Sequence, residues 1–250
     1  MIAGGGKMEG KKVLAINSSK RKKNTYGLLQ QLKEQLKEKN TEVEILNLFD
    51  YDIKECTGCE ICLRKGSCIL QDQAEELMDK LRGYDGLILS TPVYMGNISG
   101  KLKVFVDRTC RWFHRPELIG VPTLFVTTTA ASGIKDTFRS LETIGFQWGA
   151  FPTDSIARKS KDLNRPVDEK EYKSFLKHLH MPREKYRPST RQMIHFQVQK
   201  VLAEKILAID KDYWEGQEWL DKNYFYDTKA SFISRVTALL VYKILYKRIK

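Results

Sequence analysis

Four of the five cysteines fall within thirteen residues: Cys56, Cys59, Cys62 and Cys68, spaced C-x2-C-x2-C-x5-C. Thiolates at three-residue intervals can curl round one cubane cluster, as in ferredoxin-type runs, and Gly58 and Gly66 free the loop to wrap. Structural zinc prefers two separated Cys or His pairs. The compact spacing therefore favours a [4Fe–4S] cluster over zinc, against the competing reading of packed or free thiols that hold no metal. Cys110 stands on a predicted helix and reads as a core thiol. His178 and His180 form an H-x-H pair, but no catalytic role is assigned to any of the four histidines.

Three further stretches combine polar groups with turn formers. Asn17-Ser18-Ser19-Lys20-Arg21-Lys22-Lys23-Asn24-Thr25 sets hydroxyls, amides and four consecutive cations at the start of a helix. A helix N-terminus presents unpaired N–H groups and a positive dipole end, which suits a phosphate. Ser18, Asn24 and Thr25 would hydrogen-bond its oxygens, with Lys20 adding charge; the alternative is a solvated basic turn with an ordinary cap. Thr91-Pro92-Val93-Tyr94-Met95-Gly96-Asn97 offers apolar faces and backbone donors to a flat heteroaromatic ring, or forms a plain turn. Thr127-Thr128-Thr129-Ala130-Ala131-Ser132-Gly133 is small enough to let a planar ligand reach the backbone. Neither G-x-G-x-x-G nor G-x-x-x-x-G-K-[ST] occurs, which argues against the usual dinucleotide and P-loop fingerprints.

These stretches follow apolar runs that read as strands. Val13–Asn17, Val43–Leu48, Gly86–Ser90 and Thr123–Thr127 are short and buried in pattern, with a last strand near Phe151–Ile156. Between them, Tyr26–Asn40, Gln73–Leu81, Lys101–Trp112 and Lys135–Gly145 carry helical spacing. Alternation of this kind argues for a parallel sheet covered on both faces, whose ligands bind at the carboxyl ends of the strands. The expected organisation is a flexible N-terminus over 1–11, an α/β domain over 12–160, an irregular linker over 161–191 and a basic helical extension over 192–250.

The chain has 250 residues, 42% of them apolar and 30% charged, enough apolar content to bury a core. No run of 18 apolar residues occurs, and Met1–Lys12 lacks an apolar stretch of signal-peptide length. A cytoplasmic location is expected, and there a tight cysteine cluster reads as metal or redox chemistry rather than a disulfide knot. The net charge is +12, and residues 151–250 hold 21 Lys/Arg against 13 Asp/Glu. Such a balance favours an anionic partner without choosing one.

Asn17-Ser18-Ser19-Lys20 with Asn24-Thr25, Thr91-Pro92-Val93-Tyr94-Met95-Gly96-Asn97 and Lys103-Val104-Phe105-Val106-Asp107-Arg108 together resemble the flavodoxin-like NAD(P)H-dependent FMN reductases. Within that group the chain is most similar to the iron–sulfur flavoproteins, whose compact cysteine spacing its own resembles. The resemblance spans residues 12–157. It implies a doubly wound, five-stranded parallel sheet with FMN at its edge, the phosphate in loop 18–25 and the isoalloxazine against 92–97 and 127–133. The implied cofactor contacts are Ser18, Lys20, Asn24, Thr25, Pro92, Val93, Tyr94, Met95, Gly96, Asn97, Thr128, Ala130 and Ala131. Family members often have Gly where Asn17 stands and Pro where Ser19 stands, Ala130-Ala131 replaces a Gly-rich loop, and a common acidic pair appears as Gln71-Asp72. The implied reaction is hydride uptake from NAD(P)H, then reduction of a quinone, nitro or similar small-molecule acceptor. With a cluster on Cys56, Cys59, Cys62 and Cys68, electron carriage with a ferredoxin-like donor is the alternative. A homo-oligomer is expected and nucleic-acid binding is not.

The extension ends in a helical pattern, Ala230–Lys250, with an apolar stripe of Phe232, Ile233, Val236, Leu240 and Leu245 and a terminal cluster of Lys243, Lys247, Arg248 and Lys250. The ordinary expectation is a helix packed on its own domain, its cations complementing the C-terminal dipole. The competing ones are a dimer or electron-donor contact and a helix lying on an anionic membrane. A non-enzymatic redox-sensing or membrane-docking protein is the corresponding alternative function. Trp214, Trp219, Tyr224 and Phe225 read as packing rather than nucleic-acid stacking.

Overall fold

The computed structural model describes residues 10–249. Of the expected flexible segment 1–11, residues 1–9 lie outside the described residues, and Lys11 already opens a strand. In chain order the elements are β1 Lys11–Asn17, α1 Asn24–Lys37, β2 Thr41–Asn47, α2 Ile61–Lys65, α3 Ala74–Arg82, β3 Gly86–Pro92, α4 Gly100–Arg108, α5 Arg111–His114, β4 Pro122–Thr129, α6 Ile134–Gln147 and β5 Phe151–Lys159. Then come α7 Lys173–Leu179, α8 Thr190–Lys205, α9 Ala208–Gly216 and α10 Phe232–Arg248.

The strands form one parallel sheet in the order β2-β1-β3-β4-β5. This is the flavodoxin-like order, with its switch point between β1 and β3. The central strand β3 is buried along its whole length, whereas the edge strand β2 alternates buried and exposed residues. Successive side chains point to opposite faces. Leu14, Ile16, Leu87, Leu89 and Phe125 face a core built with α3, α4 and α6. Val13, Ala15, Ile88, Leu124 and Val126 face another, built with α1 and α7.

Residues 161–191, expected as an irregular linker, carry α7 and dock on the sheet. Phe175 and Leu179, one turn apart, are buried in the second core with Val167 and Tyr172. The approach is close: a Cβ added at Gly86 on β3 would meet Leu179 Cδ1 at 2.8 Å. Burying each of these large side chains contributes about 1.5–3 kcal/mol, enough to hold a short helix that propensity alone does not nucleate. Arg158 of β5, itself buried, holds the same segment through paired hydrogen bonds to Glu171 and to the Arg165 and Pro166 carbonyls.

Helices α8–α10 close a third core of aromatic rings, in which Phe196, Trp214, Trp219, Tyr224 and Phe225 are all buried. Trp214 and Trp219 meet edge to face at 5.3 Å between centroids. The helical unit is also hydrogen-bonded to the sheet domain: Trp214 Nε1 donates to the His114 carbonyl at 2.8 Å, and Gln199 Nε2 to those of Phe113 and Gln147.

Candidate functional site

A cavity of about 260 Å³ opens at the carboxyl edge of the sheet. Three strand-to-helix loops and the end of β5 line it: Ser19, Arg21, Lys23, Asn24 and Thr25; Pro92, Val93 and Tyr94; Thr128, Thr129 and Ala130; and Ser160.

The first wall is the start of α1. Lys23 occupies the N-cap position without a side-chain cap bond, so the first-turn N–H groups have no side-chain acceptor. Arg21 and Lys23 stand beside them, and no carboxylate lines the cavity among the described residues. Unpaired donors, a dipole end and two cations together make an anion site. Ser19 shapes the turn by donating from Oγ to the Arg21 carbonyl at 3.0 Å. At the base, the Thr25 and Thr128 hydroxyls pair at 2.7 Å and join the first loop to the third.

The second wall turns on Met95 and Gly96, both at positive φ, 47° and 80°. Tyr94 and Asn97 exchange backbone hydrogen bonds at 2.9 and 3.0 Å across them, the pattern of a tight primed turn. A methionine held in this region costs energy that the surroundings must offset, a feature that clusters at functional sites. Met95 is fully exposed and Tyr94 half so, which leaves their apolar surfaces at the rim. The third wall comes within van der Waals range of the second: a Cβ at Gly133 (φ 86°) would lie 2.6 Å from Val93 Cγ1 and 2.9 Å from Gly96 Cα.

Seven of the thirteen residues named from the sequence line the cavity: Asn24, Thr25, Pro92, Val93, Tyr94, Thr128 and Ala130. Ser18 lies buried beneath it, donating to the Ser90 carbonyl at 2.9 Å and paired with the Ser99 hydroxyl at 2.9 Å. Lys20 points to solvent. Met95, Gly96 and Asn97 form the rim turn, and Ala131 N–H donates to Thr129 Oγ1 at 3.3 Å. Ser19, Arg21, Lys23, Thr129 and Ser160 are additional lining residues. The run of four cations signalled the two basic ones, but which cations face inward depends on the turn.

The cysteine loop lies between β2 and α3. Buried Asp72 pairs with Arg108 and accepts from Lys54 N–H at 2.8 Å, which ties the two ends of the loop together. Arg108 also donates to the Cys68 sulfur at 3.3 Å, and Arg115 to the Cys62 and Leu63 carbonyls at 2.9 and 3.0 Å. Cys110 is no isolated core thiol, for its sulfur lies 3.2 Å from that of Cys62. Hydrogen bonding from Cys110, helped by the Arg111 and Arg115 charges against the cost of burial, brings the Cys62 thiol down to about 6. The same contact, with burial, raises Cys110. Cys59 is lowered by the Ile61 N–H and the Thr57 side chain.

Among the described residues, no three Cys, His, Asp or Glu converge as a metal-holding group. Cys56 accepts from Gly58 N–H at 3.5 Å, Cys62 faces Cys110 and Cys68 faces Arg108. So arranged, the four thiols do not form one metal-holding group, although the Arg108 N–H donated to the Cys68 sulfur is itself compatible with cluster ligation. His178 accounts for its ring locally: Nδ1 lies 2.7 Å from the Ser174 carbonyl, and the ring packs on Phe151 and Tyr186.

The sequence profile of the NADPH-dependent FMN reductases matches residues 11–158, more than half of the chain. The chain belongs to that family. An iron–sulfur flavoprotein of Archaeoglobus fulgidus is 43% identical over 98 residues, which are 39% of this chain and 48% of that protein. Another, of Methanocaldococcus jannaschii, is 36% identical over 110 residues, 44% of this chain and 54% of its own. The chain thus spans about half the length of the curated relatives it matches. Among solved structures, RosB with a bound 8-demethyl-8-formylriboflavin-5'-phosphate intermediate is similar in fold, with TM-score 0.53 at 12% identity, over 85% of this chain and 88% of that one. A flavone reductase gives TM-score 0.50 at 17% identity, over 67% of this chain and 60% of that one.

Proposed function

We propose that this member of the FMN reductase family binds FMN in the cavity at the sheet edge and works as an NAD(P)H-dependent oxidoreductase on a small acceptor such as a quinone or nitro compound. One observation carries the reading. An uncapped helix N-terminus with Arg21 and Lys23 stands on one side of the cavity, and the apolar Pro92–Tyr94 turn on the other. The first suits the phosphate of a flavin nucleotide and the second its ring, so the residues present fit FMN. The group supplies hydride and electron transfer when bound. The chain's own part is positioning and charge. First-turn N–H groups, Arg21 and Lys23 hold the anion, and the Thr25–Thr128 hydroxyl pair fixes the floor. The Tyr94–Asn97 turn and the tight Gly133 contact hold the second and third loops against each other and fix the ring-side walls. Among the described residues no carboxylate or imidazole lines the cavity, so no proton-transferring residue is assigned.

Titration of the apoprotein with FMN, followed by flavin fluorescence quenching and by NAD(P)H oxidation with a quinone, tests the reading. Stoichiometric FMN uptake is expected; an apoprotein that takes up none sinks it. The second reading, an iron–sulfur electron carrier, is favoured by the C-x2-C-x2-C-x5-C motif and by the names of the relatives. It requires the cysteine loop to rewrap. Iron and sulfide analysis after anaerobic purification decides it, and about four of each per chain would establish it.

A further inference from the structure

We propose that α10 docks the protein onto an anionic phospholipid membrane, its apolar side chains entering the headgroup boundary and its cations meeting lipid phosphates.

The helix packs on α8 through buried Ser234 and Ala238 and through the Tyr242 and Tyr246 rings, which lie against Lys200 and Lys205, while Phe232, Ile233, Val236, Leu240 and Ile244 turn outward. Phe232 is 79% exposed, Ile233 74%, Leu240 56% and Ile244 51%. Isolated exposed apolar residues need no explanation, but this density on one helix marks an interaction surface. Among the described residues nothing covers it. The expectation that the stripe packs on its own domain fails: Phe232, Ile233, Val236 and Leu240 of that stripe face outward, and the covered side is the one carrying Ser234 and Ala238.

Charge selects the occupant. Phe232–Arg248 contains no acidic residue, and Arg235, Lys243, Lys247 and Arg248 are all exposed. Across the packing seam, Glu204 of α8 is engaged by the Tyr242 hydroxyl at 2.9 Å. A second copy of this helix would bring no carboxylates to meet these cations. A nucleic acid would satisfy the cations and leave the aliphatic groups in water. An anionic bilayer surface meets both requirements. At 17 residues the helix is about 25 Å long, and no described helix is long and apolar enough to cross a membrane, so α10 would lie in the interface. It is also preformed: the Ser231 hydroxyl caps it by accepting from Ser234 N–H at 3.1 Å, so docking need not fold it.

Co-sedimentation of the full chain with vesicles tests the proposal. Vesicles of phosphatidylcholine with about one-third phosphatidylglycerol should bind the protein, and phosphatidylcholine alone should not; added salt should release it. Each cation near such a surface contributes about fivefold in affinity, so Lys243→Gln with Lys247→Gln should weaken binding by about 25-fold. Ile233→Ser with Leu240→Ser should abolish it while leaving the far-ultraviolet dichroism unchanged, because both side chains are exposed. Three outcomes overturn the proposal. The wild type fails to sediment with anionic vesicles at low salt; the Ser double variant binds as the wild type does; or the wild type ignores vesicles and that variant converts a dimer to a monomer by light scattering, which gives the face to a second copy.

Discussion

Arg21 and Lys23 are two of four adjacent cations, yet they alone of that run line the cavity. In the proposed FMN site their charge would act on the phosphate and not on the uncharged isoalloxazine ring. Charge-assisted hydrogen bonds are worth about 1.5–3 kcal/mol. Arg21→Ala should therefore weaken FMN binding by about 10- to 100-fold, Lys23→Ala should add to that loss, and neither change should much alter riboflavin binding. Parallel fluorescence titrations check this, and equal losses for both flavins would place the phosphate elsewhere. Asp72 shows another single-residue effect. One carboxylate with Arg108 ties both ends of the cysteine loop to α4, so the departure at Gln71-Asp72 keeps the acid that carries the structural bond.

Loops and short helices decide the shape of the site. Gly133 sits at φ 86° with Val93 and Gly96 against its Cα hydrogens. Gly133→Ala should cost about 1–3 kcal/mol by urea denaturation, through left-handed strain and overpacking, and should widen the cleft and weaken FMN binding. A variant as stable as the wild type would show that the two loops are not in this contact. Segment 161–171 is fastened by Arg158 and Glu171. The Arg158 hydrogen bonds hold the Glu171 carboxyl below its ordinary 4.5. A group so depressed adds stability that is present above the unfolded value and is lost as pH falls through the folded one. Glu171→Gln should thus lower stability at neutral pH and flatten its decline below about pH 4.5. Denaturation curves at several pH values check this; an unchanged acid slope would remove Glu171 from the linkage.

At the scale of the molecule, one buried ion pair joins the helical extension to the cysteine loop. Asp210 of α9 pairs with Arg115 and lies 2.9 Å from His114 Nδ1, while Arg115 reaches the Cys62 and Leu63 carbonyls. Asp210→Ala leaves a buried guanidinium without its counter-charge, at a cost of about 3–5 kcal/mol. The expected outcome is a lower unfolding temperature together with faster alkylation of Cys62, as the loop loses its anchor. Loss of stability without any change in thiol reactivity would show the two regions to be independent.

The apolar runs, helical spacing and turn residues of 12–160 determined the strands, the helices and the loops that carry the site. Those signals are local: a buried parallel strand must be apolar, and a strand-to-helix turn must contain residues that permit it. The aromatic residues of 192–250 likewise announced a core. Other features depended on contacts distant in sequence. Residues 161–191 are polar enough to look like a connector, and only the Gly86 gap on β3 shows where Phe175 and Leu179 fit. Cys110 looked unrelated to the cysteine motif until the packing of α2 and α5 brought its sulfur to Cys62 across 48 positions. The apolar stripe of α10 was legible, but not that it faces outward; that is decided by the packing of Ser234, Ala238, Tyr242 and Tyr246 on α8. Patterning specifies each element, whereas burial and charge pairing between elements are properties of the assembled chain.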